Sequence, residues 1–257
     1  MVAPSLWPLG RKSNPTLLHT TPDYAFFHKQ KGVPLIVTFH NYVLDRFMCD
    51  YSSCLQNIHY QTDLKWLTKK AVNLANEITA VSQFTANLVQ QELRLDKKIR
   101  VIYNGIDEAL FTPVNKLAAQ RQIKVLFSGN LSTRKGAQWL LPILKKLNPN
   151  ISIYYTSGLR NVKELSVHPR LINIGRVDHA EMPALYQSAD MLLFPTVREG
   201  FGLAAAEAMA CGLPVVATDC SALPELIDNG KGGFLCGLGE IDDFAEKINL
   251  LAENSNL

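Results

Sequence analysis

The sequence predicts an α/β protein built on parallel β-sheets with right-handed crossovers. Apolar runs of about four to six residues recur along the chain, and uninterrupted runs of this length are typical of strands buried on both faces. Helical patterns lie between these runs, and the alternation of strand and helix indicates a parallel sheet. A polar segment divides the pattern into two parts, so we expect two domains.

The predicted strands and helices alternate through both parts. The strands of the first part span residues 16–20, 35–39, 77–81 and 100–103, and those of the second span 125–128, 151–156, 171–174, 191–195, 215–218 and 234–236. The helices between them span residues 62–76, 82–93, 137–147, 179–189, 203–211 and 242–252. Asp178 and Glu181 predict a capping box at one helix start, and Gly212 predicts the end of another helix.

The polar segment at residues 111–122 is incompatible with a buried strand. It lies between two α/β patterns, as an interdomain linker does. We therefore expect an N-terminal domain over residues 1–112, a linker over 113–122 and a C-terminal domain over 123–257.

The composition excludes several classes of protein. The chain has 257 residues, of which 47% are hydrophobic and 19% charged, with a formal net charge of +3. These values argue against intrinsic disorder and give no reason to expect a nucleic-acid partner. No apolar window is long enough to span a membrane, and the first residues lack the pattern of a secretory signal. Five cysteines without a C-x-x-C pair predict reduced thiols and a cytoplasmic location.

Residues 198–219, REGFGLAAAEAMACGLPVVATD, carry the main functional signal. A predicted strand ends just before them and a helix begins at Leu203, so their loop lies at the carboxyl end of a parallel strand, where open α/β sheets bind ligands. Gly200 and Gly202 allow close backbone approach, and the helix start suits an anion such as a diphosphate. Glu207 lies in an apolar, alanine-rich helix. It is either a surface glutamate or a buried one that needs a hydroxyl donor.

This segment resembles the E-x7-E signature of retaining glycosyltransferases of the GT-B fold, in the group-1 or family-4 class. The spacing of Glu199 and Glu207 fits, and LPELI at residues 223–227 also matches. The resemblance implies two Rossmann-like domains that face a cleft, and sugar transfer from a nucleotide-diphosphate-sugar donor to a glycan or lipid-linked acceptor. It implies that Glu199 contacts the donor sugar and Glu207 the ribose. The loop between them also contacts the donor, through Gly200, Phe201, Gly202 and Leu203.

Residues 125–136, VLFSGNLSTRKG, resemble the strand, loop and helix with which this family grips the donor diphosphate. The resemblance implies four contact residues: Gly129, Asn130, Arg134 and Lys135. Many members carry arginine where this chain has Asn130, so the grip rests on Lys135, assisted by Arg134. Cations at a helix start would neutralise charge that develops on the leaving diphosphate.

Further landmarks lie in both domains. Residues 34–41, PLIVTFHN, resemble the strand that ends in the family's Thr-x-His motif, which implies that His40 lies near the transferred sugar and has a catalytic role. An imidazole there can hydrogen-bond a sugar hydroxyl. His19 ends another strand at the same edge, and either lines an acceptor pocket or is an ordinary loop histidine. Val177 belongs to a segment that resembles the loop whose backbone contacts the nucleotide base.

The resemblance implies no cofactor, because the nucleotide sugar is the substrate. The sequence contains no Asp-x-Asp pair, which the metal-chelating donor site of the other common glycosyltransferase fold uses. We therefore expect no required divalent metal. A dinucleotide-dependent oxidoreductase is disfavoured, because no G-x-G-x-x-G follows a predicted strand.

A cluster of lysines marks the predicted helix over residues 62–76. Lys65, Lys69 and Lys70 lie beside Trp66 and Leu67, and form either a basic face for anionic lipid headgroups or a solvated helix face. The expected location is therefore cytoplasmic, or peripheral at the inner face of the cell membrane. Polysaccharide or lipopolysaccharide biosynthesis is the process in which most such enzymes act.

The resemblance covers residues 15–253, but a typical member has further strands before this region and helices after it. We therefore expect an incomplete N-terminal domain, whose missing strands leave an open sheet edge. Two interpretations follow. The chain is either an active glycosyltransferase, alone or with a completing subunit, or a truncated nucleotide-sugar-binding remnant or subunit without independent activity.

Overall fold

The structure, a computed structural model, describes residues 14–114, 122–157 and 168–254. The chain divides into two units between Asn104 and Gly105. Each unit contains one parallel sheet with helices packed on it. The prediction of two parallel-sheet α/β domains is therefore confirmed.

The sheet of the first unit has four parallel strands in the order β1-β2-β3-β4. The strands are β1 (Leu18–Thr20), β2 (Leu35–Phe39), β3 (Glu77–Ala80) and β4 (Arg100–Val101). The helices are α1 (Pro22–His28), α2 (Cys54–His59), α3 (Lys65–Leu74) and α4 (Gln83–Leu93), with a 3-10 turn at Arg46–Tyr51 and a π turn at Tyr60–Leu64. Leu35, Val37 and Phe39 of β2 join Ile78 of β3 in the core. The core therefore forms around the two central strands.

The sheet of the second unit has six parallel strands in the order β10-β9-β8-β5-β6-β7. The strands are β5 (Ile123–Phe127), β6 (Ile151–Thr156), β7 (Leu171–Gly175), β8 (Met191–Phe194), β9 (Val215–Thr218) and β10 (Gly233–Cys236). The helices are α5 (Leu140–Leu144), α6 (Met182–Ser188), α7 (Leu203–Ala210), α8 (Leu223–Leu226) and α9 (Ile241–Glu253). Three 3-10 turns lie at Thr133–Lys135, Ala137–Trp139 and His179–Glu181.

Both faces of this second sheet are buried. Val125 and Phe127 of β5 belong to one core cluster, with residues of α5 and α9, whereas Leu126 belongs to another, with residues of α6 and α7. A strand covered on both sides is built mostly from apolar side chains. This double coverage explains why the strands appear in the sequence as continuous apolar runs.

The strand order reverses beside β5. The chain passes from β5 to β6 and β7 on one side and then returns to β8 on the other side. Such a switch point leaves a crevice at the carboxyl ends of two adjacent strands, where open α/β sheets bind ligands. The loop at residues 128–136 follows β5 and the loop at 195–202 follows β8, so the fold brings these two loops together.

Several helix predictions need correction. The helix predicted over residues 62–76 begins earlier, at Cys54, because Ser53 and Gln56 form a capping box there. The helix predicted over 137–147 is shorter and starts as a 3-10 turn after Gly136, which has a left-handed backbone conformation. The predicted capping box of Asp178 and Glu181 is present. The helices α1 and α8 were not predicted.

The expected linker lies mostly outside the described residues, since these leave out 115–121. Phe111 is buried in a core cluster of the second unit, beside Tyr186. The limits of the linker at residues 113–122 therefore stay a prediction.

Candidate active site

The loop after β5 packs directly on the end of β8. Gly136 has a φ of +79°, and a Cβ atom at this position would lie 1.9 Å from the carbonyl oxygen of Pro195. The backbone N–H of Val197 donates to the carbonyl oxygen of Arg134 at 2.8 Å. Only glycine permits both the conformation and the close approach. The neighbouring Lys135 is consequently held against the residues that follow β8.

Lys135 and Glu199 form an ion pair across the two loops. The Lys135 ammonium contacts Oε1 of Glu199, and the side chains are 21% and 13% exposed. The hydroxyl of Thr196 lies 3.0 Å from the same carboxylate oxygen, and the Lys135 nitrogen lies 5.4 Å from the centre of the Phe194 ring. The two sequence motifs thus meet in one partly buried, charge-balanced group.

The remaining residues of the predicted diphosphate grip lie in the same loop as Lys135. The N–H of Gly129 donates to Oγ1 of Thr156 at 2.9 Å, and a Cβ atom on Gly129 would lie 3.9 Å from the Lys135 side chain. Asn130 is exposed and Arg134 is half-buried. The structure therefore places these residues in one loop at the switch point.

Glu207 is largely buried, with 13% of its side chain exposed. The hydroxyl of Tyr186 donates to its Oε2 at 3.1 Å, and Nε2 of His179 lies 3.7 Å from its Oε1. Burial raises the pKa of Glu207, while the Tyr186 hydrogen bond and the nearby His179 oppose that rise. Glu207 is therefore a largely buried residue rather than a surface glutamate, with the Tyr186 hydroxyl as one donor. Its contact with the ribose stays a prediction.

The glycine loop joins the two glutamates. Gly202 immediately precedes α7 with a φ of +98°, and a Cβ atom there would lie 2.9 Å from Cδ2 of Leu223. Gly200 is buried and Phe201 partly buried, whereas Leu203 is exposed. The backbone of this loop is therefore held between Glu199 and the helix that carries Glu207.

Sequence reasoning missed the two partners of Glu207. Tyr186 lies in α6 and His179 in the 3-10 turn before it, two residues after the partly exposed Val177. Their seven-residue spacing places both on one side of a helical segment, which is the only local signal that could have found them. The same spacing is common in ordinary helices.

The first unit holds the predicted histidines at the carboxyl edge of its own sheet. His40 follows β2 and is exposed. Nε2 of His19 lies 2.6 Å from the Thr38 hydroxyl, which lies 2.6 Å from the Thr79 hydroxyl. His19 is therefore part of a hydrogen-bonded row across three strands. The catalytic role of His40 and the acceptor role of His19 stay predictions.

The predicted basic face needs one correction. Trp66, Lys69 and Lys70 are exposed and Lys65 is partly exposed, but Leu67 is buried because it faces the core of its unit. Within residues 14–114, 122–157 and 168–254, no helix is long and apolar enough to cross a membrane. The same residues contain no group of three or more His, Cys, Asp or Glu side chains suited to a metal ion. The absence of a required metal stays a prediction.

Two family models match the chain. The model for glycosyl transferases group 1 matches residues 122–254, and the one for glycosyltransferase family 4 matches residues 2–110. N-acetyl-alpha-D-glucosaminyl L-malate synthase of Bacillus anthracis is 27% identical over 74% of this chain, which spans 54% of that relative. D-inositol 3-phosphate glycosyltransferase of Mycolicibacterium smegmatis is 30% identical over 59% of this chain, which spans 39% of it. The chain thus spans about half or less of the length of these relatives.

Solved structures share the fold. Sucrose-phosphate synthase from Thermosynechococcus elongatus superposes with a TM-score of 0.80 at 21% identity, over 93% of this chain and 65% of that one. Anabaena HepE in complex with UDP and glucose superposes with a TM-score of 0.78 at 22% identity, over 99% of this chain and 73% of that one. The chain therefore belongs to the glycosyl transferases group 1 family and has the two parallel-sheet domains of the GT-B fold.

Proposed function

We propose that the chain is a retaining glycosyltransferase that moves a sugar from a nucleotide-diphosphate donor to a glycan or lipid-linked acceptor. The observation that carries the proposal is the contact between Lys135 and Glu199 at the switch point of the second sheet. It unites a cation suited to a diphosphate with a carboxylate suited to sugar hydroxyls. Binding sites of open α/β sheets lie at this edge.

The donor occupies the second unit in this proposal. Its diphosphate lies on the loop at residues 128–136, with Lys135 and Arg134 supplying positive charge, and its ribose hydroxyls donate to Glu207. The sugar meets Glu199 and the loop at 200–203, and the base lies against the backbone at Val177. Anabaena HepE is solved with UDP-glucose, so we take uridine diphosphate sugars as the first donors to test.

The transfer step breaks one bond and forms another on the same face of the sugar. The bond between the anomeric carbon and the diphosphate oxygen breaks as the acceptor oxygen bonds to that carbon. The acceptor proton passes to the departing phosphate oxygen. Lys135 and Arg134 stabilise the negative charge that accumulates on the diphosphate, and fixed positioning of both reactants lowers the entropic cost. His40 hydrogen-bonds a hydroxyl of the transferred sugar.

We propose that transfer requires no divalent metal, because Lys135 and Arg134 already supply cationic charge to the diphosphate loop. Addition of a chelator such as EDTA should leave the rate of transfer unchanged. A rate that falls with chelation and returns with Mg²⁺ or Mn²⁺ would contradict this part of the proposal.

A thermal-shift titration tests donor binding. UDP, GDP, ADP and their common sugar conjugates are titrated into the wild type, Glu207→Ala and Glu246→Ala. Glu246 is a matched control in the same unit, because its exposed carboxylate pairs only with Lys247 among the described residues. A ligand at about 100 times its Kd stabilises the fold by about 2.7 kcal/mol. The proposal predicts stabilisation of the wild type and the control but not of Glu207→Ala.

Stabilisation by none of these nucleotides would disprove the donor site. Nucleotide binding without transfer to any glycan or lipid-linked acceptor in a panel would favour the alternative, a nucleotide-sugar-binding subunit without activity of its own. Restoration of transfer by an added protein would identify a completing subunit.

We propose that the first unit reaches its acceptor at a membrane surface, as a peripheral protein of the cytoplasmic face in polysaccharide or lipopolysaccharide biosynthesis. Leu55 in α2 is 80% exposed and Trp66 is 51% exposed, with the Lys70 ammonium 5.8 Å from the Trp66 ring. Residues 54–74 contain three lysines and one aspartate. Apolar side chains beside excess positive charge suit anionic headgroups.

Vesicle sedimentation tests this surface. The wild type should bind phosphatidylglycerol vesicles and not phosphatidylcholine vesicles, and Leu55→Ser with Ile58→Ser should weaken binding. Ile102→Ser is the matched control, because Ile102 is an exposed apolar residue elsewhere in the same unit. Equal binding by all three proteins would contradict the proposed surface.

A further inference from the structure

Both oxygens of the Glu207 carboxylate face side chains of the segment that precedes and includes α6. The Tyr186 hydroxyl donates to Oε2 at 3.1 Å, and Nε2 of His179 lies 3.7 Å from Oε1. Tyr186 is fully buried, whereas the His179 side chain is 72% exposed. Oε2 of Glu207 is therefore hydrogen-bonded to a core residue, whereas Oε1 lies near an exposed side chain.

Tyr186 is itself fixed in position. Its ring belongs to the core cluster of Leu126 and Phe194 and lies 6.2 Å from the ring of Phe111. The side chain of Ser128, the residue directly after β5, also interacts with the Tyr186 hydroxyl. Tyr186 thus reaches Glu207 of α7 from a core cluster that also contains residues of β5 and β8.

His179 lies near the second carboxylate oxygen of Glu207, Oε1, without forming a good hydrogen bond to it. Its imidazole packs edge-on against Phe111, with the ring centres 5.8 Å apart. At 3.7 Å its nitrogen is beyond a good hydrogen bond to Oε1, so that oxygen retains the capacity to accept from a ligand hydroxyl. When protonated, the imidazole adds a positive charge that favours the ionised carboxylate.

We propose that Tyr186 is a positioning residue for the donor site, which holds Oε2 of Glu207 so that Oε1 is presented to a hydroxyl of the nucleotide ribose. This inference rests on the proposed function, in which Glu207 binds the donor. It adds a residue of the core cluster to the set that determines nucleotide affinity.

The electrostatics of the site support this role. Burial raises the pKa of Glu207, and the hydrogen bond from Tyr186 is the largest of the contributions that oppose the rise. Loss of that bond raises the pKa further, so the ionised acceptor is lost at a higher pH. The other titratable groups that face Tyr186 and Glu207 are His179, in the turn before α6, and Cys211, directly after α7.

UDP affinity measured against pH tests the inference, with GDP and ADP run in parallel. Tyr186→Phe keeps the buried ring and removes the hydroxyl, and should raise the Kd of UDP about tenfold at neutral pH. The pH at which binding falls by half should also move upward. His179→Gln alters an exposed residue and should shift the same pH profile in the same direction, because it removes a charge that favours ionised Glu207.

The matched control is Tyr155→Phe, since Tyr155 is also buried in the second unit but lies in the other core cluster. It should bind UDP as the wild type does. The inference is overturned if Tyr186→Phe keeps the wild-type affinity and pH profile, or if Tyr155→Phe loses as much affinity. Loss of binding in Glu207→Ala alone would leave the proposed function standing without the role of Tyr186. If Glu207→Ala also binds normally, or no nucleotide binds the wild type, the proposed function fails and the inference fails with it.

Discussion

The ammonium group of Lys135 contacts Oε1 of Glu199, although 64 positions separate the two residues in the sequence. The contact joins the loop after β5 to the loop after β8, and these strands are neighbours at the point where the strand order reverses. Each charge is mostly withdrawn from water, so each needs the other. The pair balances the two charges at this edge of the sheet. Under the proposed function, the donor diphosphate offers Lys135 a second partner.

Lys135→Ala should therefore affect both binding and stability. The Kd of UDP should rise at least about tenfold, and the free energy of unfolding should fall by about 1 to 3 kcal/mol, because Glu199 is left without its cation. Nucleotide titration and urea unfolding measure the two effects. Lys146→Ala is the control, since Lys146 pairs with Asp242 on the surface and should cost less than about 1 kcal/mol.

The double variant Lys135→Ala with Glu199→Gln separates the two effects. Removal of the carboxylate charge should restore part of the lost stability but none of the UDP affinity. Equal losses of stability in Lys135→Ala and Lys146→Ala would show that the ion pair is an ordinary surface pair.

Gly136→Ala tests the close approach of the two loops. A Cβ atom at Gly136 overlaps the carbonyl of Pro195, and the backbone has a positive φ. We expect a loss of about 2 to 4 kcal/mol in unfolding free energy, together with loss of UDP binding. Gly230→Ala is the control, because Gly230 has a φ of +87° but open space around its Cα. Gly230→Ala should lower the unfolding free energy by about 1 kcal/mol. Equal losses for Gly136→Ala and Gly230→Ala in a urea titration would argue against the overlap.

The central strands of the two sheets were predictable from the sequence because most of their residues are buried on both faces. Leu35–Phe39 and Ile151–Thr156 are observed with the predicted limits, since both are mostly apolar runs of the kind that two-sided burial requires. Their buried polar residues, Thr38, Ser152 and Thr156, are small. Helix α2 was missed for the opposite reason. None of its residues is buried, and its two aliphatic side chains, Leu55 and Ile58, are exposed. The helix therefore has no apolar stripe packed on a core from which it could be predicted.

The candidate site was predictable only where the motifs are local. Glu199 and Glu207 lie within one loop and helix, and Lys135 lies at the start of another helical segment, so their neighbours in the sequence mark them. Tyr186 contacts Glu207 from a different helix. A contact between elements leaves no trace in either element's own periodicity, because a buried tyrosine in a helix is also an ordinary core residue.

His40→Ala tests the proposed catalytic role in the first unit. We expect the release of UDP from UDP-glucose to slow about 10- to 100-fold, with the affinity for UDP unchanged, because the proposed nucleotide contacts all belong to the second unit. His59→Ala is the control, since His59 ends the exposed helix α2. A weakened UDP affinity in His40→Ala would contradict this division of roles.

Cys220 should be a poorly reactive thiol despite its place beside the loop of Glu199. Its sulfur lies 3.3 and 3.4 Å from the carbonyl oxygens of Thr196 and Val197, and burial raises its pKa to about 11. At pH 8 only about 0.1% of Cys220 is therefore in the thiolate form. Alkylation followed by mass spectrometry should label the exposed Cys54 well before Cys220, whose rate should rise about tenfold per pH unit to about pH 10. A plateau below pH 9 would contradict the shifted pKa.

Glu207→Gln should separate stability from binding. Burial raises the pKa of Glu207 above its ordinary 4.5, so the folded protein holds that proton more tightly than the unfolded chain does. The stability that this group contributes is therefore present at low pH and falls as the pH rises from about 4.5 through the raised value. The uncharged glutamine avoids that loss, so we expect the nucleotide-free variant to melt at or above the wild-type Tm at pH 7. The difference in Tm should close below about pH 4.5. The variant should lose its affinity for UDP. A variant that melts lower than the wild type at pH 7 would show that ionised Glu207 stabilises the fold, with Glu246→Gln as the exposed control.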